Sequence, residues 1–499
     1  PTRPGSGLYR GGFAASVPLG RGRRTDRPPP VTPFEPSIDP ACPGSAGDST
    51  RASTPMGSAT CATIEVVVPR GARRVATEDG STPLLPGTAA ELPVADSARV
   101  RFPLDLWIVD GPGPVAVLHE SPSEVGRDGL VVGRPEPAAT YAWLWSDGPH
   151  ALVTGRRNDE VRLALDAGTA AWVPFGDLTW PDLDPAGETE PTRVGTVQLY
   201  DGPDRLQVQV AVGRPVPYRV AIDGHRLVLT LYGAFSDTDW LRYGPHPTYV
   251  RRAGWSQPTG DRYVLEMELA TTPWGYRARY RAGALILEVR KPPAIDPEHP
   301  LEGRTIVLDP GHPPAGATGP SRLYEGDANL AVAFRARRLL EAAGATVFLT
   351  RADRRAVRLY DRPALAERLN ADVLVSIHNN ALPDGVNPFS NHGTSVYYFQ
   401  DQEADLARAL QQSLLATLGL PDLGFGRGNL ALTRPTWMPS VLTEGAFMMI
   451  PEEEAGLRSP AFLEAYALGV VDGIRAFLRE RALEPGARPE GASSPPRKP

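Results

Sequence analysis

Three stretches in the carboxyl-terminal part of the chain constrain its fold more than any other feature. They are Thr305-Ile-Val-Leu-Asp-Pro-Gly-His312, Val373-Leu-Val-Ser-Ile-His-Asn-Asn380 and Met438-Pro-Ser-Val-Leu-Thr-Glu-Gly445. Each is an apolar run that stops at a polar residue. Short aliphatic runs without alternation are buried on both faces, as in a parallel sheet, so His312, His378 and Glu444 are expected just beyond strand ends. In an open α/β sheet that edge is where ligands bind.

Two histidines and carboxylates gathered at one edge are the material of a hydrolytic zinc site. Neutral imidazoles and a carboxylate hold the ion and leave one position open for water. The third ligand is expected from Glu325, in Leu323-Tyr-Glu-Gly-Asp-Ala-Asn-Leu330, with Asp309 as its competitor.

From about residue 304 to 480 the sequence resembles the zinc-dependent N-acetylmuramoyl-L-alanine amidases, which cut bacterial peptidoglycan. In that family a first strand ends in a Leu-Asp-Pro-Gly-His-like turn, and a glutamate follows before a helix. A Ser-Ile-His segment supplies a second histidine, and a proline-led strand ends in a catalytic glutamate. All four stand here in order as His312, Glu325, His378 and Glu444, and Arg362 and Ala366-Glu-Arg-Leu-Asn-Ala-Asp372 are also similar to the family. The resemblance implies one zinc ion per catalytic domain, held by His312, Glu325 and His378, with Glu444 as general base and peptidoglycan as the partner. Asp309 is read as bracing the turn or supporting a ligand from behind, and Asn380, His392 and Arg434 as candidate substrate contacts. Trp437 and Phe447 are expected to pack. The sequence departs from the family at Pro313-Pro314, where paired glycines are usual, and at Gly326, where a lysine is usual. Some relatives insert a helix that plugs the zinc site after the strand equivalent to 394–399. Only Gln400 and Asp401 stand there, so an enzyme without that form of autoinhibition is expected.

A chain of 499 residues predicts several domains. The expected class is multidomain, with N-terminal all-β modules followed by a C-terminal α/β domain whose mostly parallel sheet is flanked by helices. Residues 1–60, rich in Pro, Gly, Ser, Thr and Arg, read as a flexible arm. Residues 61–190 carry short apolar runs with turn residues between them and resemble one or two SH3-like barrels. Residues 191–293 alternate in longer runs, such as Arg205-Leu-Gln-Val-Gln-Val-Ala211, and resemble the AMIN β-sandwich that targets some amidases to the cell envelope. A proline-rich linker at 294–303 leads into the catalytic domain at 304–482, and 483–499 reads as a disordered tail. Within the catalytic domain helices are expected from Asp327 to about Ala343, with an apolar stripe of Leu330, Phe334, Leu339 and Leu340, and at 361–370, 402–418 and 460–479. Strands are expected at 346–349, 394–399, 429–433 and 440–444.

The formal net charge of -6 argues against a nucleic-acid partner. No run of about 18 apolar residues exists to span a membrane. Cys42 and Cys61 are the only cysteines, and they read equally as one disulfide of an oxidising compartment or as two unpaired thiols. An extracytoplasmic location, in the periplasm or cell envelope, follows from the resemblance, with the signal peptide expected outside this chain. The same resemblance gives the β domains a role in holding an envelope or activator protein. Two rival readings stand beside the amidase: a zinc peptidase of the stem-peptide crosslink and a non-catalytic wall-binding protein. The absence of a His-Glu-x-x-His pattern weighs against the common metallopeptidases.

Overall fold

The computed structural model describes residues 115–484 apart from 120–129, 138, 140, 158, 182–189, 246–247 and 384. It also gives the backbone of strands Ile64–Pro69, Arg74–Ala76, Ser97–Phe102 and Trp107–Asp110. The expectations for the arm at 1–60, for Cys42 and Cys61, and for the tail from 485 fall outside the described residues.

In the C-terminal domain the apolar runs become the middle of a six-stranded sheet. Its order is Thr346–Leu349, Thr305–Pro310, Val373–Asn380, Ser440–Phe447, Thr394–Tyr398 and Asp422–Arg427. All neighbours run parallel except Thr394–Tyr398 against Ser440–Phe447. Val373, Leu374, Val375 and Ile377 are fully buried, as a central strand covered on both faces requires. Helices Glu325–Ala342, Ala404–Leu418 and Pro460–Leu483 pack on one another and on the sheet.

Several local expectations are corrected. His378 and Glu444 lie inside the ends of their strands, because both strands continue past them to Asn380 and Phe447. The 429–433 run is a turn, Ala431–Thr433, and its Leu432 is buried as packing beneath the sheet. The strand here is Asp422–Arg427, an edge strand with a half-exposed face, which needs little apolar sequence. The first helix starts at Glu325, ahead of Asp327, whose carboxylate pairs with Arg354 Nε at 2.6 Å. Its buried face is Ala328, Val332, Ala333, Ala336 and Leu340, whereas Phe334 is exposed. A helix at Pro451–Arg458 had no counterpart among the expectations.

Upstream, residues 192–290 form two sheets facing each other. One is ordered Ala234–Ser236, Thr192–Asp201, Arg205–Val212, Ala284–Arg290 and Gly275–Arg281, with Leu241–Tyr243 also on Thr192–Asp201. The other is ordered Tyr218–Asp223, Arg226–Tyr232, Arg262–Leu269 and Val250–Thr259. The strands between 115 and 179 adjoin them, and one hydrophobic cluster runs from Ala116 to Val289 across both regions. Trp145 Nε1 donates to Tyr218 O at 2.6 Å across that junction.

The sandwich is docked on the C-terminal domain at the starting ends of its strands. Trp274, fully buried, belongs to the core cluster of that domain and donates to the carbonyl of Asp372, the residue before strand Val373–Asn380, at 2.8 Å. Trp437, just before strand Ser440–Phe447, is buried with the guanidinium groups of Arg277, Arg205 and Arg290 at 4.2, 5.7 and 5.7 Å from its ring. Arg290 also pairs with Asp372 at 3.1 Å.

Candidate metal centre and active site

The finishing ends of the same strands carry the candidate chemistry. The strand Thr305–Pro310 turns at Gly311, whose N–H donates to Ile377 O at 3.0 Å. A Cβ at Gly311 would stand 2.2 Å from the His378 ring, so only glycine lets the turn pass this close. His312 follows with φ at +56°, a left-handed conformation costly for a side chain and one that clusters at functional sites.

Glu325, the first residue of its helix, receives both imidazoles. His312 Nε2 stands 3.1 Å from Oε2, and His378 Nδ1 stands 3.1 Å from Oε1. The ring centroids are 4.9 Å apart and nearly perpendicular. His312 Nδ1 lies 3.1 Å from the Pro314 carbonyl, which only accepts, so Nδ1 carries a proton and Nε2 is the nitrogen turned toward the cluster. The three ligand atoms all lie within 4.8 Å of one another. Two imidazole nitrogens and a carboxylate, with His312 and His378 21% and 16% exposed, fit a zinc ion with one open position.

Charge in the cluster follows from burial opposed by pairing. Burial works to raise the Glu325 pKa, yet its hydrogen bonds to His312 and His378 and their charge hold it well below the usual carboxylate range. Burial works to lower His312, but its hydrogen bond to Glu325, the Glu325 charge and the Pro314 carbonyl together raise it. Glu444 goes the other way. Burial, and then the negative charge of Glu325, push it well above the usual range. Glu444 stands beside His378 in the parallel register, and its Oε2 is buried without a hydrogen-bond partner among the described residues. A carboxylate oxygen in that state is costly unless something polar meets it.

Asp309 braces the turn, as expected. Fully buried, it accepts from Ser376 Oγ at 2.7 Å, from Arg362 Nη1 at 2.9 Å and from the Thr350 hydroxyl. Arg362 Nη2 also donates to Pro313 O at 2.6 Å, and Arg351 Nε donates to Pro310 O at 2.8 Å. The loop from 313 to 324 is held further by Glu454, which accepts from Ser321 N at 2.8 Å and Leu323 N at 3.0 Å. Gly326 sits beneath the Tyr324 ring, where a Cβ would approach to 2.6 Å.

The candidate substrate residues separate. Asn380 ends the His378 strand, with its carbonyl bonded to Met448 N at 2.8 Å. His392 lies in the loop before strand Thr394–Tyr398, with Nδ1 against Glu453, whose other oxygen accepts from Phe447 N at 2.6 Å. Arg434 is not brought to the cluster. It follows the Ala431–Thr433 turn, donates to the Tyr360 hydroxyl at 3.2 Å and lies over the Tyr141 and Tyr360 rings at 5.2 and 5.6 Å. Sequence reasoning passed over Asn329, Asn379, Arg351 and Glu454. The available signal was a polar residue one turn beyond Glu325 and another beside His378.

The family pattern described as N-acetylmuramoyl-L-alanine amidase matches residues 306–476, the segment that carries all four of these residues. Residues 306–476 belong to that amidase family. The amidase domain is 32% identical over 184 residues to the probable cell wall amidase LytH of Staphylococcus epidermidis, covering 36% of this chain and 60% of that protein. The chain thus spans about 60% of the length of the curated relatives it matches. Among solved structures it is similar to the catalytic domain of CwlV, an N-acetylmuramoyl-L-alanine amidase from Bacillus (Paenibacillus) polymyxa var. colistinus. That match has 35% identity and a TM-score of 0.33, over 35% of this chain and 98% of that one. The amidase AmiC2 of Nostoc punctiforme matches at 31% identity and a TM-score of 0.34, over 36% of this chain and 98% of that one.

Proposed function

We propose that this protein is a peptidoglycan hydrolase that cleaves the amide between N-acetylmuramic acid and the L-alanine of the stem peptide, with zinc held by His312, Glu325 and His378. The observation that carries this is the unpartnered Glu444 Oε2 beside His378 in a cluster whose donor set suits zinc. When bound, zinc supplies Lewis-acid polarisation of the amide carbonyl and lowers the pKa of water in its open position from about 15.7 toward about 7. The chain's own part is positional and protonic. Glu325 and the two histidines fix the reacting centre at the strand ends, and Asp309 with Arg362 holds the turn that aims His312. Glu444 takes the proton of the attacking water and passes it to the departing L-alanine nitrogen. Its raised affinity for a proton suits both halves of that transfer. Asn380 and His392, flanking the same edge, are assigned to substrate contact.

The upstream β modules are assigned to holding the enzyme at the envelope, and the location is taken as extracytoplasmic. Strand Thr394–Tyr398 passes through Asp401–Glu403 straight into helix Ala404–Leu418, which supports an enzyme active without displacement of a plug.

The test is metal depletion with add-back. Chelation should abolish solubilisation of purified peptidoglycan by the full chain, and about one equivalent of zinc should restore it. Wall binding without cleavage at any zinc level would favour the non-catalytic reading instead.

A further inference from the structure

We propose that Asn329 is a positioning residue that ties together the three chain segments supplying the metal ligands, an inference that rests on the zinc reading above. Asn329 lies one turn beyond Glu325 on the same helix and is fully buried. Its amide nitrogen donates to Glu325 Oε1 at 3.1 Å and to the Gly311 carbonyl at 3.2 Å. Its oxygen accepts from Asn379 Nδ2 at 2.8 Å. Gly311 precedes His312, and Asn379 follows His378. Asn379 also donates its backbone N–H to Glu325 Oε1 at 3.2 Å. One side chain therefore touches one ligand directly and the immediate neighbours of the other two.

The chemistry needs an amide at this position. Two donors must meet a carbonyl and a carboxylate while one acceptor meets a second amide, and only Asn or Gln offers both functions. Aspartate would lose the donors and set a second negative charge one turn from Glu325. Leucine would leave the Gly311 carbonyl and Glu325 Oε1 each short of a donor, and Asn379 without an acceptor. Asn379 Oδ1 is already buried without a hydrogen-bond partner among the described residues, so its amide has little reserve. The tolerance is small, because metal–ligand distances hold to within about 0.2 Å. The His378 ring also stands against Gly311 without room for a Cβ. Groups behind metal ligands commonly govern affinity by about 10–100-fold.

The experiment uses the full chain and measures zinc affinity by competition with a chromophoric chelator, alongside melting of the metal-free protein. Asn329→Leu, Asn329→Asp and Asn379→Ser are compared with wild type. The Asn329 variants should weaken zinc binding about 10–100-fold, and Asn379→Ser should weaken it by less. A purely structural role would lower the melting temperature and leave affinity within about two-fold of wild type, which overturns the inference. Should the Asn329 variants fail to fold, Asn379→Ser decides alone, and unchanged affinity there overturns it equally. Wild type that takes up no zinc removes the metal reading itself, an outcome distinct from variants that bind as well as wild type.

Discussion

The proposed proton transfer rests on Glu444, whose side chain is buried beside His378. Glu444→Gln keeps the shape and removes the proton acceptor, so hydrolysis should fall about 10²–10⁴-fold while zinc uptake stays unchanged. Loss of zinc together with activity would instead make Glu444 a ligand. Asp309 gives a pH signature. Burial works to raise its pKa, but the charge of Arg362 and the hydroxyls of Thr350 and Ser376 hold it below the usual carboxylate range, with His378 a smaller influence of the same sign. A carboxyl depressed on folding contributes stability above its unfolded pKa of about 3.9, and that contribution is lost as pH falls through the folded value. Asp309→Asn should therefore flatten the acid-side loss of stability in pH-dependent urea melts, and an unchanged slope would exclude this linkage. At this scale the residues proposed for the metal centre and the proton transfer were legible in the sequence. His312, Glu325, His378 and Glu444 each interrupt an apolar run or open a helix, whereas Asn329 and Glu454 act through contacts whose partners lie far along the chain. Arg434 was misleading because an arginine near a strand reads the same whether it meets substrate or stacks on tyrosines.

Strand Ser440–Phe447 is the element on which the site depends, since it carries Glu444 beside His378 and leads into the Glu453 and Glu454 helix. Its Gly445 is pressed by the Tyr466 ring, where a Cβ would approach to 2.2 Å. Tyr466 in turn bonds the His378 carbonyl at 2.8 Å and meets the Thr443 hydroxyl at 2.9 Å. Gly445→Ala should destabilise the protein by about 1–3 kcal/mol through overpacking and displace Glu444. Chemical denaturation checks the first effect and activity the second, and a neutral Gly445→Ala would mean that Tyr466 yields without disturbing the strand. Elements of this kind were legible because burial on both faces demands long aliphatic runs. Edge strand Asp422–Arg427 was not, since its Gly424 and Gly426 and its exposed face leave no pattern to read. Nor was helix Pro451–Arg458, whose first turn is acidic and whose packing rests on few apolar residues.

At the scale of the described molecule, the β-sandwich grips the starting ends of the C-terminal strands while the His312, Glu325 and His378 group lies at their finishing ends. The linker expected at 294–303 therefore does not separate independent bodies. Trp274 of the sandwich packs on Phe477 of the last helix at 5.4 Å, and Tyr276 exchanges hydrogen bonds with Thr436 at 2.6 and 2.7 Å. Alternation in the sequence revealed the strands of the sandwich, and short apolar runs between turn residues those of the region before it. The shared interface was hidden because its members, Trp274, Arg290, Asp372 and Trp437, look ordinary apart from one another. Trp274→Ala should cost about 3–5 kcal/mol and split a joint calorimetric transition into two. One transition at an unshifted temperature would show that the interface contributes little.

The central claim is that this chain cuts the lactyl amide of peptidoglycan with a metal-assisted Glu444. Mass spectrometry of the products released from purified peptidoglycan, with and without chelator, tests it most directly. The account predicts free stem peptides beginning with L-alanine, formed only with metal present and absent for Glu444→Gln. Fragments cut within the stem peptide, or identical products from the Glu444 variant, would contradict it.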